Sequence, residues 1–178
     1  MFRLEAGQEI FLFFDTLEHM QHKTHSVLIL HNIRSAYNVG SIFRTADAVG
    51  ISKIYLTGYT PTPTDRFGRT RKDIQKTALS SEKTMPWEHV LQINTLIKRL
   101  RKEDFYIIGV EQSKQSVDYK TVHPKQKTAL IFGNEVRGLS SAVLKKCDIV
   151  AEVPMKGEKE SLNVAVATGV VLFRVLDV

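Results

Sequence analysis

The stretch VLILHNIRSAYNVGSIFRTADAVG, residues 27–50, decides the fold. It opens with four consecutive apolar residues, which predict a short buried strand over residues 27–30. A polar turn follows, and apolar side chains then recur at helical spacing over residues 39–49, up to Gly50. Glycine commonly ends helices. A strand that passes through a polar turn into a helix is the repeating unit of parallel α/β sheets.

The same unit recurs along the chain. Further strands are predicted over residues 53–57, 105–110, 129–132 and 148–153. Further helices are predicted over residues 91–102, 140–146 and 163–176. This alternation predicts an α/β fold with a mainly parallel sheet and helices on both faces.

Two segments stand outside the alternation. Residues 58–87 hold three of the five prolines and are expected to form one long irregular loop. Residues 1–24 carry apolar side chains at helical spacing and are expected to form an N-terminal packing helix. We therefore expect one domain over residues 1–178, with a helical extension at 1–24 and a catalytic core at 25–178.

Composition narrows the functional classes. A chain of 178 residues is long enough for one domain with its own core, so no disulfide or metal staple is required. The 25 Lys and Arg against 19 Asp and Glu give a formal charge of +6, which mildly favours an anionic partner such as nucleic acid. Cys147 is the single cysteine, which suits a reducing cytoplasm and leaves no cysteine cluster for a metal. The early apolar run at residues 10–14 is too short to cross a membrane.

Polar segments follow three of the predicted strands. The segments are HNIRSAYNVGSIFRTADAVG (31–50), GNEVRGLS (133–140) and VPMKGEKESLNVAVA (153–167). Ligands of open parallel sheets bind beyond the carboxyl ends of strands, so three such turns predict a single pocket. The sequence contains no GxGxxG dinucleotide turn, no GxxxxGK[ST] phosphate loop and no GxSxG nucleophile elbow.

The three segments resemble motifs 1, 2 and 3 of the SPOUT superfamily, specifically the SpoU/TrmH-type RNA 2′-O-ribose methyltransferases. Motif 1 corresponds to Asn32 and Arg34 followed by Asn38, Gly40, Arg44 and Ala46; motif 2 to Gly133, Asn134, Glu135 and Gly138; and motif 3 to Pro154, Met155 and Gly157 followed by Ser161 to Val164. The resemblance runs from about residue 26 to residue 172, with the motifs in the family's order.

The resemblance implies a deep trefoil knot in the C-terminal third, a homodimer, and S-adenosylmethionine as methyl donor. It places the donor against Val110, Glu111, Gly133, Val153, Met155 and Leu162. Residues 164–173 carry no charge, so their helix must be covered on nearly every side. A second subunit provides that cover in the family, and burial within one subunit is the alternative.

The resemblance also implies the catalytic residues, which are Arg44, Asn38, Glu135, Ser161 and Asn163. Asn38 is expected to cap the helix that holds Arg44, alone or besides a role in the site. Arg44 is the family's proposed general base, but arginine rarely loses its proton, so a phosphate clamp that also stabilises the alkoxide is the safer interpretation. Glu135 is expected to orient Arg44 or motif 3, or to be a surface carboxylate at a helix start. Ser161 and Asn163 are expected to cap the last helix and to face the pocket.

RNA is the expected partner, with transfer RNA as the first candidate and ribosomal RNA as the second. The cluster Arg66, Arg69, Arg71 and Lys72 either contacts RNA or forms part of a solvated loop. No metal and no membrane are implied. Two alternatives stay open: a non-catalytic RNA-binding module with this fold, and a knotted enzyme that methylates a base.

Overall fold

Seven parallel strands form one sheet in the computed structural model, which describes residues 25–178. In chain order they are β1 His25–His31, β2 Lys53–Thr57, β3 Trp87–Val90, β4 Tyr106–Val110, β5 Val117–Asp118, β6 Lys127–Phe132 and β7 Ile149–Glu152. Their order across the sheet is β3-β2-β1-β6-β4-β7-β5, and every pairing is parallel. The predicted parallel α/β fold is confirmed, whereas the helix expected over residues 1–24 lies outside the described residues.

Helices cover both faces of the sheet, as predicted. They are α1 Ala36–Ala48, α2 Lys72–Ala78, α3 Ser81–Thr84, α4 Ile93–Lys102, α5 Ser141–Leu144 and α6 Val164–Val175. Successive side chains of a strand point to opposite faces. Leu28 and Leu30 therefore join the core beneath α1 and α6, while Val27 and Ile29 join a second core beneath α4. Among residues 25–178, no helix combines the length and apolar character needed to cross a bilayer.

The prediction that residues 58–87 form one irregular loop was wrong in its second half. Helices α2 and α3 and the start of β3 lie there, so the irregular part ends at about Arg71. Helix α2 packs closely on α1, because a Cβ at Gly40 would overlap Thr77 Oγ1 and the carbonyl of Ile74. Within α2 only Ile74 and Ala78 are buried. Two apolar positions are too few to show a helical period in the sequence.

The sequence also failed to predict strands β3 and β5, which form the two edges of the sheet. None of the four residues of β3 is buried, and β5 has only two residues. Edge strands are covered on fewer sides than central strands, so they lack the apolar run that marked the other five.

Helix α6 is covered on only one side within the described chain. Val171, Leu172 and Val175 are fully buried against α1 and the sheet, whereas Val166, Val170 and Phe173 are exposed. These three exposed residues follow one another at helical spacing and form a continuous apolar stripe. Within residues 25–178, nothing covers this face of α6.

Candidate active site

A cavity of about 330 Å³ opens where the chain leaves β4, β6 and β7, three neighbouring strands. Its walls come from the segments after those strands and from the start of α6. All six residues predicted to hold the methyl donor line it: Val110, Glu111, Gly133, Val153, Met155 and Leu162. The predicted catalytic residues Glu135 and Ser161 line it as well. Motifs 2 and 3 thus meet in one pocket, as predicted, whereas no residue of motif 1, the third turn expected there, lines it.

The floor of the cavity depends on a tight turn over residues 133–139. A Cβ at Gly133 would lie 2.6 Å from the carbonyl carbon of Gly138 and 2.8 Å from the nitrogen of Leu139, so only glycine fits without a backbone shift. The carboxylate of Glu111 accepts hydrogen bonds from the N–H of Leu139 (2.7 Å) and of Gln112 (3.0 Å). Glu111 therefore fixes the position of motif 2 relative to the end of β4, a role that the sequence did not predict.

Glu135 docks on the first turn of α1, about a hundred residues away in sequence. One carboxylate oxygen accepts from the N–H of Arg34 (2.9 Å), and the other accepts from the N–H of Ser35 (3.1 Å) and from Asn38 Nδ2 (3.1 Å). A carboxylate in this position satisfies backbone donors that lack partners at a helix start and lies at the positive end of the helix dipole. Glu135 thus joins motif 2 to motif 1.

Burial raises the pKa of the Glu135 carboxyl group, but the hydrogen bonds from Arg34, Ser35 and Asn38 lower it by more. Its pKa therefore lies below the ordinary value of 4.5. The group is a carboxylate at neutral pH, and it acts as a fixed acceptor that orients its donors.

Asn38 extends this connection to motif 3. Its Oδ1 accepts from Asn163 Nδ2 at 3.2 Å, while Asn163 Oδ1 accepts from the N–H of Ala165 at 2.9 Å and caps α6. A chain of side-chain hydrogen bonds therefore runs from Glu135 through Asn38 to Asn163. It joins the three motifs at the edge of the cavity.

The predictions for the two helix caps had mixed outcomes. Asn163 caps α6, as predicted, but Ser161 is exposed on the cavity wall and does not cap it. The prediction that Asn38 caps α1 was wrong, since the N-cap is Ser35, whose hydroxyl accepts from the N–H of Asn38 at 3.3 Å. Ser35 has the extended backbone that a cap requires, whereas Asn38 lies inside the helix and its side chain is engaged by Glu135 and Asn163.

Arg44 lies two turns along α1 from the cavity edge and is exposed. It does not line the cavity, and it takes part in no ion pair or side-chain hydrogen bond with another of residues 25–178. The expectation that Glu135 orients Arg44 is wrong, because the three hydrogen bonds of Glu135 go to Arg34, Ser35 and Asn38. The structure therefore brings together four of the five predicted catalytic residues and leaves Arg44 facing solvent.

The predicted RNA-binding cluster lies between β2 and the start of α2. Arg69 pairs with Asp65 at 2.8 Å and Arg71 pairs with Asp73 at 2.7 Å, both at exposed or partly exposed positions. Arg66 and Lys72 form no ion pair with another described residue. Within residues 25–178, no three His, Cys, Asp or Glu side chains gather closely enough to hold a metal ion.

Asn134 is a site residue to which the sequence gave no separate role. Its Nδ2 donates to the carbonyl of Asn32 and to the hydroxyl of Tyr59, both at 3.0 Å. Its Oδ1 accepts from the N–H groups of Val136 and Arg137. Asn134 therefore holds the motif 2 turn against the ends of β1 and β2. An asparagine two positions after a predicted strand is the sequence signal that points to such a role.

Comparison with known proteins gives a family match over most of the chain. Residues 25–173 match the model of the SpoU rRNA Methylase family. The 23S rRNA (guanosine-2'-O-)-methyltransferase RlmB of Xylella fastidiosa is 31% identical over 147 residues, which cover 83% of this chain and 56% of that protein. The chain thus spans just over half the length of this relative.

Two solved structures show the same fold. An AdoMet-bound rRNA methyltransferase from Sinorhizobium meliloti matches with a TM-score of 0.75 at 28% identity, over 85% of this chain and 55% of that one. The TrmH/SpoU tRNA modifying enzyme of A. aeolicus matches with a TM-score of 0.76 at 24% identity, over 93% of this chain and 83% of that one.

Proposed function

Since the chain belongs to the SpoU rRNA methylase family, we propose that it is an RNA methyltransferase that uses S-adenosylmethionine to methylate a ribose 2′-hydroxyl. One observation carries the proposal. The cavity beyond β4, β6 and β7 is lined by all six residues assigned to the methyl donor, and the connected side chains of Glu135, Asn38 and Asn163 lie at its edge.

The cavity suits an adenosyl group. Its volume of about 330 Å³ lies within the range of small-molecule sites. Val110, Val153, Met155 and Leu162 supply apolar walls for a planar base, and the tight turn at Gly133 lets backbone groups come close to a ligand. When bound, S-adenosylmethionine supplies a methyl group on a positively charged sulfur, which is a strong electrophile.

The protein has two tasks in this reaction. It holds the ribose oxygen in line with the methyl group, and it stabilises the charge that develops as the hydroxyl proton leaves. The hydrogen bonds of Asn38 and Asn163 position both amides at the cavity edge, where they can orient the sugar. We assign to Arg44 the binding of the phosphate next to that sugar, since a guanidinium stays protonated and pairs well with phosphate.

A homodimer completes the proposal. The stripe of Val166, Val170 and Phe173 on α6 is exposed within residues 25–178, and burying three such side chains against a second copy is favourable. Helix α6 also packs on α1, where a Cβ at Gly169 would lie 3.7 Å from Thr45. Arg44 is the neighbour of Thr45 in α1, so a second copy on α6 would lie close to Arg44.

Family membership supports two further parts of the proposal. The first is a trefoil knot in the C-terminal third, which the resemblance to the family implies. The second is action on tRNA or rRNA in the cytoplasm. By its name, the RlmB relative methylates a guanosine 2′-oxygen of 23S rRNA, and this chain spans 56% of its length.

Methyl transfer to total small RNA and to ribosomal RNA tests the proposal. The wild-type protein should transfer labelled methyl groups, and mass spectrometry of digested RNA should locate them on ribose. Arg44→Ala should abolish transfer, whereas the control Arg101→Ala, on α4 at the opposite face of the sheet, should retain it. A methyl group on a base would assign the protein to the knotted base methyltransferases. Binding of RNA without S-adenosylmethionine binding would assign it to the non-catalytic modules.

A further inference from the structure

Two aromatic rings in the segment between β2 and α2 face solvent. Tyr59 is 58% exposed and Phe67 is 66% exposed. Single exposed apolar residues are common on protein surfaces. These two rings, however, belong to one groove, whose other lining residues include Arg66, Arg71, Trp87 and His89. A groove that combines exposed aromatic rings with guanidinium groups has the composition of a surface for unpaired nucleotides.

The chain presents Phe67 on a preformed turn. Asp65 Oδ1 accepts from the N–H of Phe67 (2.8 Å) and of Arg69 (3.0 Å), and the carbonyl of Asp65 accepts from the N–H of Gly68 (2.9 Å). Gly68 has φ of +77°, a conformation that favours glycine. The ring therefore projects from a turn that is ordered before any ligand binds, which lowers the entropic cost of binding.

Positive charge surrounds the ring. The guanidinium of Arg66 lies 4.7 Å from the ring centroid of Phe67, and that of Arg69 lies 5.0 Å from it. Arg69 is neutralised by Asp65, whereas Arg66 has no acidic partner among the described residues. No ion pair holds Arg66 on the ring, so its guanidinium can turn to a phosphate when a base replaces it against Phe67.

The groove adjoins the candidate active site at Tyr59. The Tyr59 hydroxyl accepts from Nδ2 of Asn134, a residue that lines the cavity, and the N–H of Tyr59 donates to Asn32 Oδ1 at 3.3 Å. His89 Nε2 lies 3.0 Å from the carbonyl of Gly58 and holds the start of the same segment. A strand of RNA whose ribose enters the active site therefore passes Tyr59 before it reaches Phe67.

We propose that the groove between Tyr59 and Phe67 binds unstacked nucleotides that flank the methylated one. The inference rests on the proposed function and adds a binding surface for the RNA to it. In an A-form duplex the faces of the bases are covered by their neighbours, so an aromatic platform gains nothing from it. In an unpaired segment each base offers a face to Phe67 and each phosphate a partner to Arg66.

Fluorescence anisotropy with the full chain tests the proposal. The probe is a labelled single-stranded RNA of mixed sequence, used alone and annealed to its complement. Phe67→Leu should weaken binding of the single strand roughly 5- to 150-fold, which is the effect of losing one stacked base. Binding of the duplex should not change. Leu79→Ala, which truncates a 61% exposed apolar side chain outside the groove, is the matched control and should change neither.

Salt dependence separates the two residues. Arg66→Gln should reduce the slope of log affinity against log salt by about 0.7, the contribution of one phosphate contact in a single strand. Phe67→Leu should leave that slope unchanged, since stacking releases no counterions. The proposal is overturned if Phe67→Leu binds the single strand as well as the wild type does, if it weakens both forms equally, or if the wild type prefers the duplex.

Calorimetric binding of S-adenosylmethionine separates failure of this inference from failure of the proposed function. The wild-type protein and both variants should bind it equally, because neither residue lines the cavity. Equal binding with no effect of Phe67→Leu on RNA would overturn this inference alone. Absence of binding to the wild type would overturn the proposed function.

Discussion

Replacement of Glu135 by glutamine tests how the three motifs are held together. The carboxylate accepts three hydrogen bonds, from the N–H groups of Arg34 and Ser35 and from Asn38. Glutamine keeps one acceptor oxygen, but its NH2 group replaces the other oxygen and faces an N–H donor. At least one hydrogen bond to the charged carboxylate is therefore lost. Such bonds are worth about 1.5–3 kcal/mol. Because the site is partly exposed, we expect a loss of about 2 kcal/mol in the free energy of unfolding.

Thermal unfolding followed by circular dichroism measures this loss. For a domain of this size, about 2 kcal/mol corresponds to a decrease in Tm of about 4–8 °C at neutral pH. The matched control is Glu158→Gln, which removes an exposed carboxylate that forms no ion pair with another described residue. Its Tm should stay within about 1 °C of the wild-type value.

The pH dependence gives a second test of the same prediction. The pKa of Glu135 is lower in the folded protein than its ordinary value of 4.5. A lowered carboxyl pKa stabilises the fold fully above pH 4.5, and this contribution is lost as the pH falls through the folded-state pKa. The Tm difference between wild type and Glu135→Gln should therefore be constant near neutrality and shrink in acid. An equal Tm at neutral pH, or a difference that grows in acid, would refute the reasoning.

Three further predictions concern other parts of the chain. Val170→Asp on the exposed stripe of α6 should convert a dimer to monomers in sedimentation velocity, and a dimer that persists contradicts the proposed interface. Burial raises the pKa of the Cys147 thiol to about 11, so iodoacetamide at pH 8 should modify it on the order of 100-fold more slowly than free cysteine. Alkylation as fast as that of free cysteine would contradict the burial of Cys147. Gly40→Ala should lower the free energy of unfolding in urea by about 1–3 kcal/mol, because its Cβ would overlap the backbone of α2. An unchanged urea midpoint would show that α2 can shift to make room for the added Cβ.

The central strands and the main helices could be predicted because their own residues carry the signal. Residues 27–30 and 129–132 lie side by side in the middle of the sheet, where burial on both faces requires a continuous run of apolar residues. Helix α2 and strands β3 and β5 could not be predicted, because their stability comes from neighbours. The close approach of α2 to Gly40, for example, is invisible in the residues of α2 itself.

The candidate site could likewise be predicted only in part. The six cavity residues could be placed from the motifs, because the carboxyl ends of parallel strands converge. The partners of Glu135 could not, since hydrogen bonds between residues about a hundred positions apart leave no local pattern. The wrong cap for α1 has a related cause. Ser35 and Asn38 can both cap a helix, and the contact of Asn38 with the distant Glu135 leaves no local signal that Ser35 is the cap.

Titration of S-adenosylmethionine into the purified protein, followed by isothermal calorimetry, tests most directly whether the converging turns hold the methyl donor. The wild type should bind it. Gly133→Ala should lose binding, because the added Cβ would lie 2.6 Å from the backbone of Gly138 and distort the cavity floor. Gly169→Ala, where the Cβ meets only Thr45 at an ordinary 3.7 Å, should bind like the wild type. A wild-type protein that shows no binding, or a folded Gly133→Ala protein that binds with unchanged affinity, would contradict the account.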